Sequence, residues 1–287
     1  AHSGPPSSVR AHRQRVPMPN HQLCLHCPDV SCVLPFRLYC GLLTMPSKLP
    51  RLFVKSPLGS GTEVVLDRDQ THYLANVLRL KPDSYVLLFN GRDGEWCARI
   101  CKAGKKAMNL EAEHQTRPQE DGPDLHYLFA PIKRARVDYV AQKATEMGAS
   151  VLRPVITRRT VAERVKVERL EVNAVEAAEQ CGILRVPRVD APQKLEDILS
   201  TWDATRLLVV ADETAAVASP LEALASEAAR PHAVLIGPEG GFDPEERDLL
   251  LRQEFVLPIS LGPRVMRADT AAVACLALVN AVWGDWR

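Results

Sequence analysis

Short apolar runs separated by turn residues characterise the chain from residue 51 to about residue 117. They predict strands at 51–54, 63–66, 85–89 and 95–100, and a short helix at 70–80 with Leu74, Val77 and Leu78 on its apolar face. The dipeptide Asn90-Gly91, between the last two runs, is a strong signal for a β-hairpin turn. This pattern predicts a small β-barrel over residues 48–117.

A polar linker at residues 118–124 leads into a different pattern. Apolar runs at 126–131, 151–156, 206–211, 233–236 and 256–260 are short and bounded by turn residues, as in buried parallel strands. After the first run, apolar residues recur at helical spacing, at Val137, Val140, Ala141, Ala144 and Met147. Strands and helices in alternation predict an α/β domain with a parallel sheet over residues 125–287.

The last predicted helix, at residues 269–283, is apolar nearly all round and rich in alanine. Such a helix is expected to be buried on most faces. Packing within its own domain would satisfy this, and so would packing against a second subunit. Of the two, a homodimer is the favoured interpretation.

Residues 1–47 differ from the rest of the chain. They hold seven prolines, four arginines and one acidic residue, without apolar periodicity, which predicts a disordered leader. One interpretation is an artefact, or translated sequence upstream of a true start at Met45. The other is an arginine-rich targeting peptide. The prolines favour the first, because a targeting peptide needs an amphipathic helix that prolines disrupt.

The net charge of +1 conceals an asymmetry between the two predicted domains. Residues 48–106 carry 11 Lys or Arg against six Asp or Glu, a balance of +5, whereas residues 107–287 carry 21 against 28, a balance of −7. A basic surface attracts phosphate backbones. A balance of this size is also common on surfaces that bind nothing, so charge alone leaves nucleic-acid binding open.

The remaining composition bears on compartment and metals. No apolar run reaches the ~18 residues that a membrane span requires. Cys97, Cys101, Cys181 and Cys275 are scattered among apolar neighbours, which indicates reduced thiols and a cytoplasmic location. The leader contains one Cys-x-x-Cys pair without a second at zinc-site spacing, and the histidines lack ligand spacing. No metal site is predicted.

A glycine-rich turn, residues 237–241, directly follows the predicted strand at 233–236. Asp243 is a plausible helix N-cap after it, with Pro244 at the first helical position and Glu246 completing a capping box. Glycines at the carboxyl end of a parallel strand let the backbone approach a ligand closely. The turn matches neither the triphosphate nor the dinucleotide pattern. On pattern alone, a tight structural turn fits equally well.

A second such loop follows the next strand, with the sequence Leu261-Gly-Pro-Arg-Val-Met-Arg-Ala-Asp-Thr-Ala-Ala. The two strands are expected to be adjacent, so that both loops meet at the ligand-binding edge of the sheet. One loop alone fits a solvated surface turn. The coincidence of two favours a shared pocket.

These two loops resemble those of the bacterial 16S ribosomal RNA (uridine-N3) methyltransferase family, of the SPOUT class. Three further segments agree, in the same order along the chain: His72-Tyr-Leu-Ala-Asn-Val-Leu-Arg, Lys143-Ala-Thr-Glu-Met-Gly and Glu176-Ala-Ala-Glu-Gln-Cys-Gly. The resemblance implies an N-terminal PUA-like barrel that binds RNA and a methyltransferase domain tied in a trefoil knot. One departure is Ile183, where members usually carry arginine; Arg185 stands nearby.

The resemblance also implies roles for individual residues. The cofactor S-adenosylmethionine (SAM) would be held by Ile236, Gly237, Gly240, Gly241, Leu261, Gly262, Val265 and Met266. Ribosomal RNA, within the small subunit, would be contacted by Arg51, His72, Arg79, Gln180 and Arg185. The implied reaction is methylation of uridine N3.

Uridine N3–H is a weak acid, so the reaction needs proton removal or stabilisation of the anion. Arg267, and next Arg264, are the candidates to stabilise the developing negative charge. Glu239 is the candidate proton acceptor; its alternative role is to anchor the glycine turn. Two other functions remain open at this point: methylation of another RNA site such as a ribose 2′-hydroxyl, and a non-catalytic RNA-binding assembly factor.

Overall fold

The computed structural model describes residues 49–104, 107–132, 134–161, 164–216 and 219–286. The predictions about the leader, residues 1–47, lie outside these ranges. Within them the four predicted strands and the short helix precede residue 118, together with a fifth strand at residues 108–117 that was not predicted. Residues 118–124 contain neither helix nor strand, and strands and helices alternate afterwards.

The N-terminal sheet has five strands in the order β1-β3-β4-β5-β2. Strands β1 and β3 are parallel and the other pairs are antiparallel, with irregular register between β4 and β5. Its core contains Leu52, Val64, Val86, Leu88 and Ile100. The strand bounds are β1 Arg51–Phe53, β2 Thr62–Val65, β3 Tyr85–Phe89, β4 Glu95–Ala103 and β5 Met108–Arg117.

The helix predicted at 70–80 begins earlier and changes type. Helix α1, Arg68–His72, is capped by Asp67. The Asp67 carboxylate accepts a hydrogen bond from the Gln70 backbone N–H, and the Gln70 side-chain oxygen accepts one from the Asp67 backbone N–H. This capping box explains the early start. A π-helical turn, Tyr73–Val77, continues it, and Arg79 then takes a positive φ of 56°.

The second sheet is parallel throughout, in the order β12-β10-β11-β6-β7-β8, with β9 paired to β7. All five predicted strands are confirmed. The strand bounds are β6 Leu125–Phe129, β7 Val151–Ile156, β8 Arg188–Val189, β9 Gln193–Lys194, β10 Leu207–Ala211, β11 His232–Ile236 and β12 Val256–Ile259. The helix bounds are α2 Arg134–Glu146, α3 Val167–Cys181, α4 Leu195–Ser200, α5 Pro220–Ala225, α6 Pro244–Leu251 and α7 Ala268–Val282.

Helices cover both faces of this sheet, because successive side chains of a buried strand point to opposite faces. On one face Val209 and Val234 pack with residues of α2, α3, α5 and α7, whereas on the other Leu208 and Leu235 pack with residues of α4 and α6. The predicted α/β class is confirmed.

Helix α7 is less buried than predicted. Its inner side is buried at Ala271, Ala272, Cys275, Leu276, Val279 and Asn280, and the Asn280 side chain donates to the Met147 carbonyl. Val273, Ala274 and Ala277 are only half-buried and Ala281 is exposed. One apolar side of α7 is therefore left without a covering element among the described residues.

Candidate active site

A cleft opens at the carboxyl ends of β10, β11 and β12. It encloses about 670 Å³, counting the space at its open mouth. This is the edge where open parallel sheets bind ligands. The lining combines backbone, apolar and charged residues: Ala211, Asp212, Glu213, Ile236, Gly237, Pro238, Glu239, Gly241, Phe242, Leu261, Gly262, Arg264, Val265, Met266, Ala268 and Ala271.

Both predicted glycine loops reach this cleft, but their strands are not neighbours. Strand β10 lies between β11 and β12. The two loops are thus separated by two strand spacings, about 10 Å. The end of β10 fills the interval with Asp212 and Glu213, which form a third side of the cleft.

The first loop gets its shape from Gly237, Gly241 and the start of α6. Gly241 has a φ of 68°, a conformation that favours glycine. A side chain at Gly237 would bring its Cβ to 3.0 Å from Cε2 of Phe242. The predicted cap is confirmed: Asp243 caps α6, Pro244 is its first residue and Glu246 completes the capping box.

Two arginines after β7 hold this loop from outside. The Arg158 backbone N–H donates to Glu246 Oε1 at 2.8 Å, and its Nη1 donates to Asp243 Oδ1 at 3.0 Å. Arg159 Nη1 donates to the Gly240 carbonyl at 2.8 Å. Gly240 is exposed and stands outside the cleft lining. The structure therefore differs from the prediction at Gly240, whose carbonyl is turned to Arg159.

The second loop is more open. Gly262 has a φ of 105°, and a Cβ placed there would have no atom within 4 Å. Val265 is 93% exposed although it lines the cleft, and Met266 is half-buried. The loop thus presents backbone and apolar side chains to the open space of the cleft.

Asp212 is a functional candidate that the sequence analysis missed. Burial would raise the pKa of this carboxyl, but hydrogen bonds from Arg247 and Thr214 outweigh burial and lower it. Arg247 Nε donates to Asp212 Oδ2 at 2.9 Å. Asp212 therefore remains a carboxylate at neutral pH, and with Glu213 it brings negative charge to the cleft. Its position directly after a buried strand was the available signal.

The candidate catalytic residues divide by position. Glu239 and Arg264 line the cleft. Arg267 is exposed and is the N-cap residue of α7, one residue before the cleft-lining Ala268. Arg136 of α2, which the sequence analysis also missed, places Nη1 3.5 Å from Glu239 Oε1 and Nε 3.8 Å from Asp269 Oδ2. Glu239 thus faces both the cleft and a cation.

Three of the five predicted RNA contacts are on the surface. His72 ends α1, Arg79 follows the π-helical turn, and Gln180 lies near the end of α3; all three are exposed. Tyr73, 41% exposed, lies beside His72. Exposed aromatic and basic side chains together are typical of surfaces that bind single-stranded nucleic acid.

The prediction for Arg51 is contradicted by the structure. Its side chain is 6% exposed and forms an ion pair with Glu95 at 2.7 Å. The same guanidinium donates to carbonyls near the end of α3. Arg185 is half-buried and donates to the Pro123 carbonyl. Both arginines bond within the protein, and Arg51 has no donor left on the surface for a phosphate.

Two negative findings concern only the described part of the chain. No group of three or more His, Cys, Asp or Glu residues there has the geometry to hold a metal ion. No helix there combines the length and apolar character needed to cross a membrane.

Comparison with known protein families gives two matches. The model of a family described as "RNA methyltransferase domain" matches residues 119–280. The model described as "RNA methyltransferase PUA domain" matches residues 66–113. The two matches fall on the parallel sheet and on the N-terminal sheet respectively.

Individual relatives agree along nearly their whole length. The chain is 31% identical over 235 residues to ribosomal RNA small subunit methyltransferase E of Rickettsia conorii, covering 81% of this chain and 96% of that protein. Among solved structures, it is similar to a putative methyltransferase of Legionella pneumophila in complex with SAM, with a TM-score of 0.73, 27% identity and coverage of 83% and 99%. The ribosomal RNA small subunit methyltransferase E of Neisseria gonorrhoeae bound to SAM gives a TM-score of 0.72, 26% identity and coverage of 84% and 100%.

Proposed function

The chain belongs to the RNA methyltransferase family, and we propose that it methylates N3 of a uridine in small-subunit ribosomal RNA with SAM as methyl donor. The observation that carries the proposal is the cleft at the carboxyl ends of β10, β11 and β12. Two glycine turns from separate strands converge there with charged residues, a combination that a non-catalytic RNA-binding protein does not require.

The residues that line the cleft fit SAM in their chemistry. Ile236, Leu261 and Met266 offer apolar walls to an adenine ring. The backbone at Gly237 and Gly262 offers close approach. Asp212 and Glu213 bring carboxylates suited to hydroxyl and ammonium groups. SAM would supply an electrophilic methyl group on a positively charged sulfur.

The protein's own contribution to the chemistry is to hold the base and manage its proton. Arg264 at the cleft, and Arg267 beside it, would stabilise negative charge developing on the uracil ring. Glu239 would accept the N3 proton, directly or through water, and Arg136, with Nη1 at 3.5 Å from Glu239 Oε1, would help to orient that carboxylate. Positioning of the base contributes more than any single group.

RNA would bind to the exposed surface of α1 and the π-helical turn, where it would contact His72 and Arg79, and to Gln180 on α3. Changing Arg79 to Glu should weaken RNA binding and reduce its salt slope by about 1. Lys194→Glu, the same charge change on the exposed strand β9, serves as the control. Equal salt slopes for the two variants would remove Arg79 from the RNA surface.

The proposal includes a homodimer formed through α7, a trefoil knot in residues 125–287 and action on small-subunit RNA in the cytoplasm. The dimer is supported by the uncovered side of α7, where Ala274 and Ala277 allow close approach of a second helix. Changing Ala277 to Glu should yield monomers in sedimentation, whereas Val172→Glu, on the exposed side of α3, should not. A dimer that survives Ala277→Glu contradicts this interface.

Two measurements test the proposal as a whole. Calorimetry should detect SAM binding to the purified chain, and absence of binding at millimolar SAM would refute the enzyme assignment. Mass mapping of ribosomal RNA from cells with and without the gene should reveal one uridine that loses an N3 methyl group. Loss of a ribose methyl group instead would keep the cofactor but replace the proposed site of methylation.

A further inference from the structure

The carboxyl end of α3 is held by the N-terminal sheet. Gly182, with a φ of 74°, ends the helix, and the last carbonyls of a helix lack partners within it. Arg51 Nη1 donates to the carbonyls of Ala178 at 2.5 Å and Glu179 at 3.0 Å, and its Nη2 donates to that of Ile183 at 3.1 Å. Two strands of one sheet take part, because Arg117 of β5 donates to the Gly182 carbonyl at 2.7 Å.

The junction between the N-terminal sheet and the end of α3 contains charged side chains that are buried at its centre. The Arg51 and Glu95 side chains are each 6% exposed, and the Arg51 guanidinium lies 4.4 Å from the centre of the Phe89 ring. Phe89 in turn packs with Ala178 and Leu184. The backbone N–H of Phe53 donates to the Glu179 carboxylate at 2.9 Å, which adds a bond in the opposite direction.

Cations are favoured at this end of a helix because the peptide dipoles leave partial negative charge there. The planar guanidinium also presents several donors in a fixed fork, so one side chain ties three carbonyls in a single geometry. Arg51 and Arg117 therefore fix the angle between α3 and the N-terminal sheet as well as the contact between them. The residues that connect the two sheets along the chain, 118–124, have no helix or strand that would define it instead.

Helix α3, whose carboxyl end lies at this junction, packs against α2, where the Asn173 side chain lies between Gln142 and Asp138. Helix α2 carries Arg136, which pairs with Glu239 at the cleft. A continuous series of packed elements thus joins the N-terminal sheet to the candidate active site.

We propose that Arg51 and Arg117 are positioning residues for methyl transfer: by clamping the carboxyl end of α3 they set the orientation of the N-terminal sheet, so that RNA bound there presents its uridine at the cleft. This inference rests on the proposed function. A misplacement of about 1 Å costs a reaction on the order of a hundredfold in rate. The two arginines thus act through geometry and touch neither SAM nor the reacting base.

The test uses Arg117→Met, because the Arg117 side chain is 40% exposed and its loss should leave the chain folded. Methyl transfer to RNA should slow at least tenfold at saturating substrate, while the dissociation constants for SAM and for RNA each change less than twofold. Arg117→Lys should recover part of the rate, since it restores a cationic donor. Arg51→Lys should slow transfer in the same way.

Arg99→Met is the matched control. Arg99 lies in β4 of the same sheet and pairs with Asp83 in the turn before β3 and with Glu111 and Glu113 of β5, so its loss does not affect α3 and should leave the transfer rate within twofold. Weaker RNA binding by Arg117→Met would overturn positioning in favour of direct contact. An equal slowing in Arg99→Met would overturn it in favour of general destabilisation, and an unchanged rate in Arg117→Met would refute the clamp alone. Wild-type protein that transfers no methyl group would refute the proposed function and the clamp with it.

Discussion

Gly240 and Gly241 should respond very differently to the same added methyl group. At Gly241 the φ of 68° costs a residue with a side chain about 1–2 kcal/mol. The new Cβ would also lie 3.3 Å from Glu213 Oε1, a tight contact. At Gly240 φ is not positive, and the nearest atom to the new Cβ would be Arg159 Cδ at 3.7 Å, an ordinary van der Waals contact. The two alanine variants therefore differ in strain, although they differ little in sequence position.

The strain in Gly241→Ala can lower either the free energy of unfolding or the affinity for SAM. If the turn keeps its shape, the free energy of unfolding falls by about 1–2 kcal/mol. If the turn rearranges to escape the strain, SAM binding must restore the strained shape, and a cost of about 1.4 kcal/mol weakens binding tenfold. The two losses together should come to about 1–2 kcal/mol. For Gly240→Ala the sum should be below about 0.5 kcal/mol.

Calorimetric titration with SAM and urea unfolding, applied to both variants, measure the two quantities separately. Equal effects of the two substitutions would refute the assignment of Gly241 to the cleft and of Gly240 to the outer contact with Arg159. A larger loss of SAM affinity in Gly240→Ala would restore the prediction made from the resemblance, in which both glycines hold the cofactor.

Three further predictions concern charge and protons. Asp212→Ala should lower the free energy of unfolding by about 2 kcal/mol in urea titrations, because it leaves the partly buried Arg247 without its acceptor; a loss below about 0.5 kcal/mol would contradict this. Burial lowers the pKa of His126 to about 4 and lowers that of His232 as well, so the native state binds fewer protons than the unfolded chain as pH falls from 6.5. Stability should therefore drop as pH falls from about 6.5 to about 4, by about 2 kcal/mol at most for His126 once solvent screening is allowed for, and His126→Gln should flatten the profile. Glu239→Gln should slow methyl transfer at least tenfold at neutral pH and less at alkaline pH, where uridine N3 ionises unaided; a loss independent of pH would indicate anchoring of the turn.

Nine of the twelve strands in the described residues were predictable because each is a short apolar run bounded by turn residues, whereas β5, β8 and β9 were not predicted. In β11, His232–Ile236, every residue is buried, which is the pattern of a strand covered on both faces. The start of α6 was also predictable, since a capping box is a local signal. The widening of α1 into a π-helical turn has no comparable signal in the residues 73–77, and the prediction of a uniform helix there was wrong.

Strand order was beyond the local pattern. The strands that precede the two glycine loops are consecutive along the chain and were therefore predicted to be neighbours. The sheet instead places β10 between them. That order depends on which helix covers which face, a property of the assembled domain and not of any single segment. As a result, Asp212 and Glu213, at the end of β10, were not predicted to line the cleft.

Arg51 shows why charge in a sequence does not identify a partner. An arginine in a basic domain was assigned to RNA, yet it donates to backbone carbonyls at and just past the end of α3, as far as 132 positions away. Both partners are electron-rich oxygens, and a guanidinium suits either. Burial decides between them, because a fully desolvated cation needs acceptors built into the protein. By the same argument His72 and Arg79, which stay exposed, remain candidates to contact RNA. On the proposals made above, exposed His72 and Arg79 contact RNA, whereas Arg51 of β1 and Arg117 of β5 hold the N-terminal sheet in the orientation from which that RNA can reach the cleft.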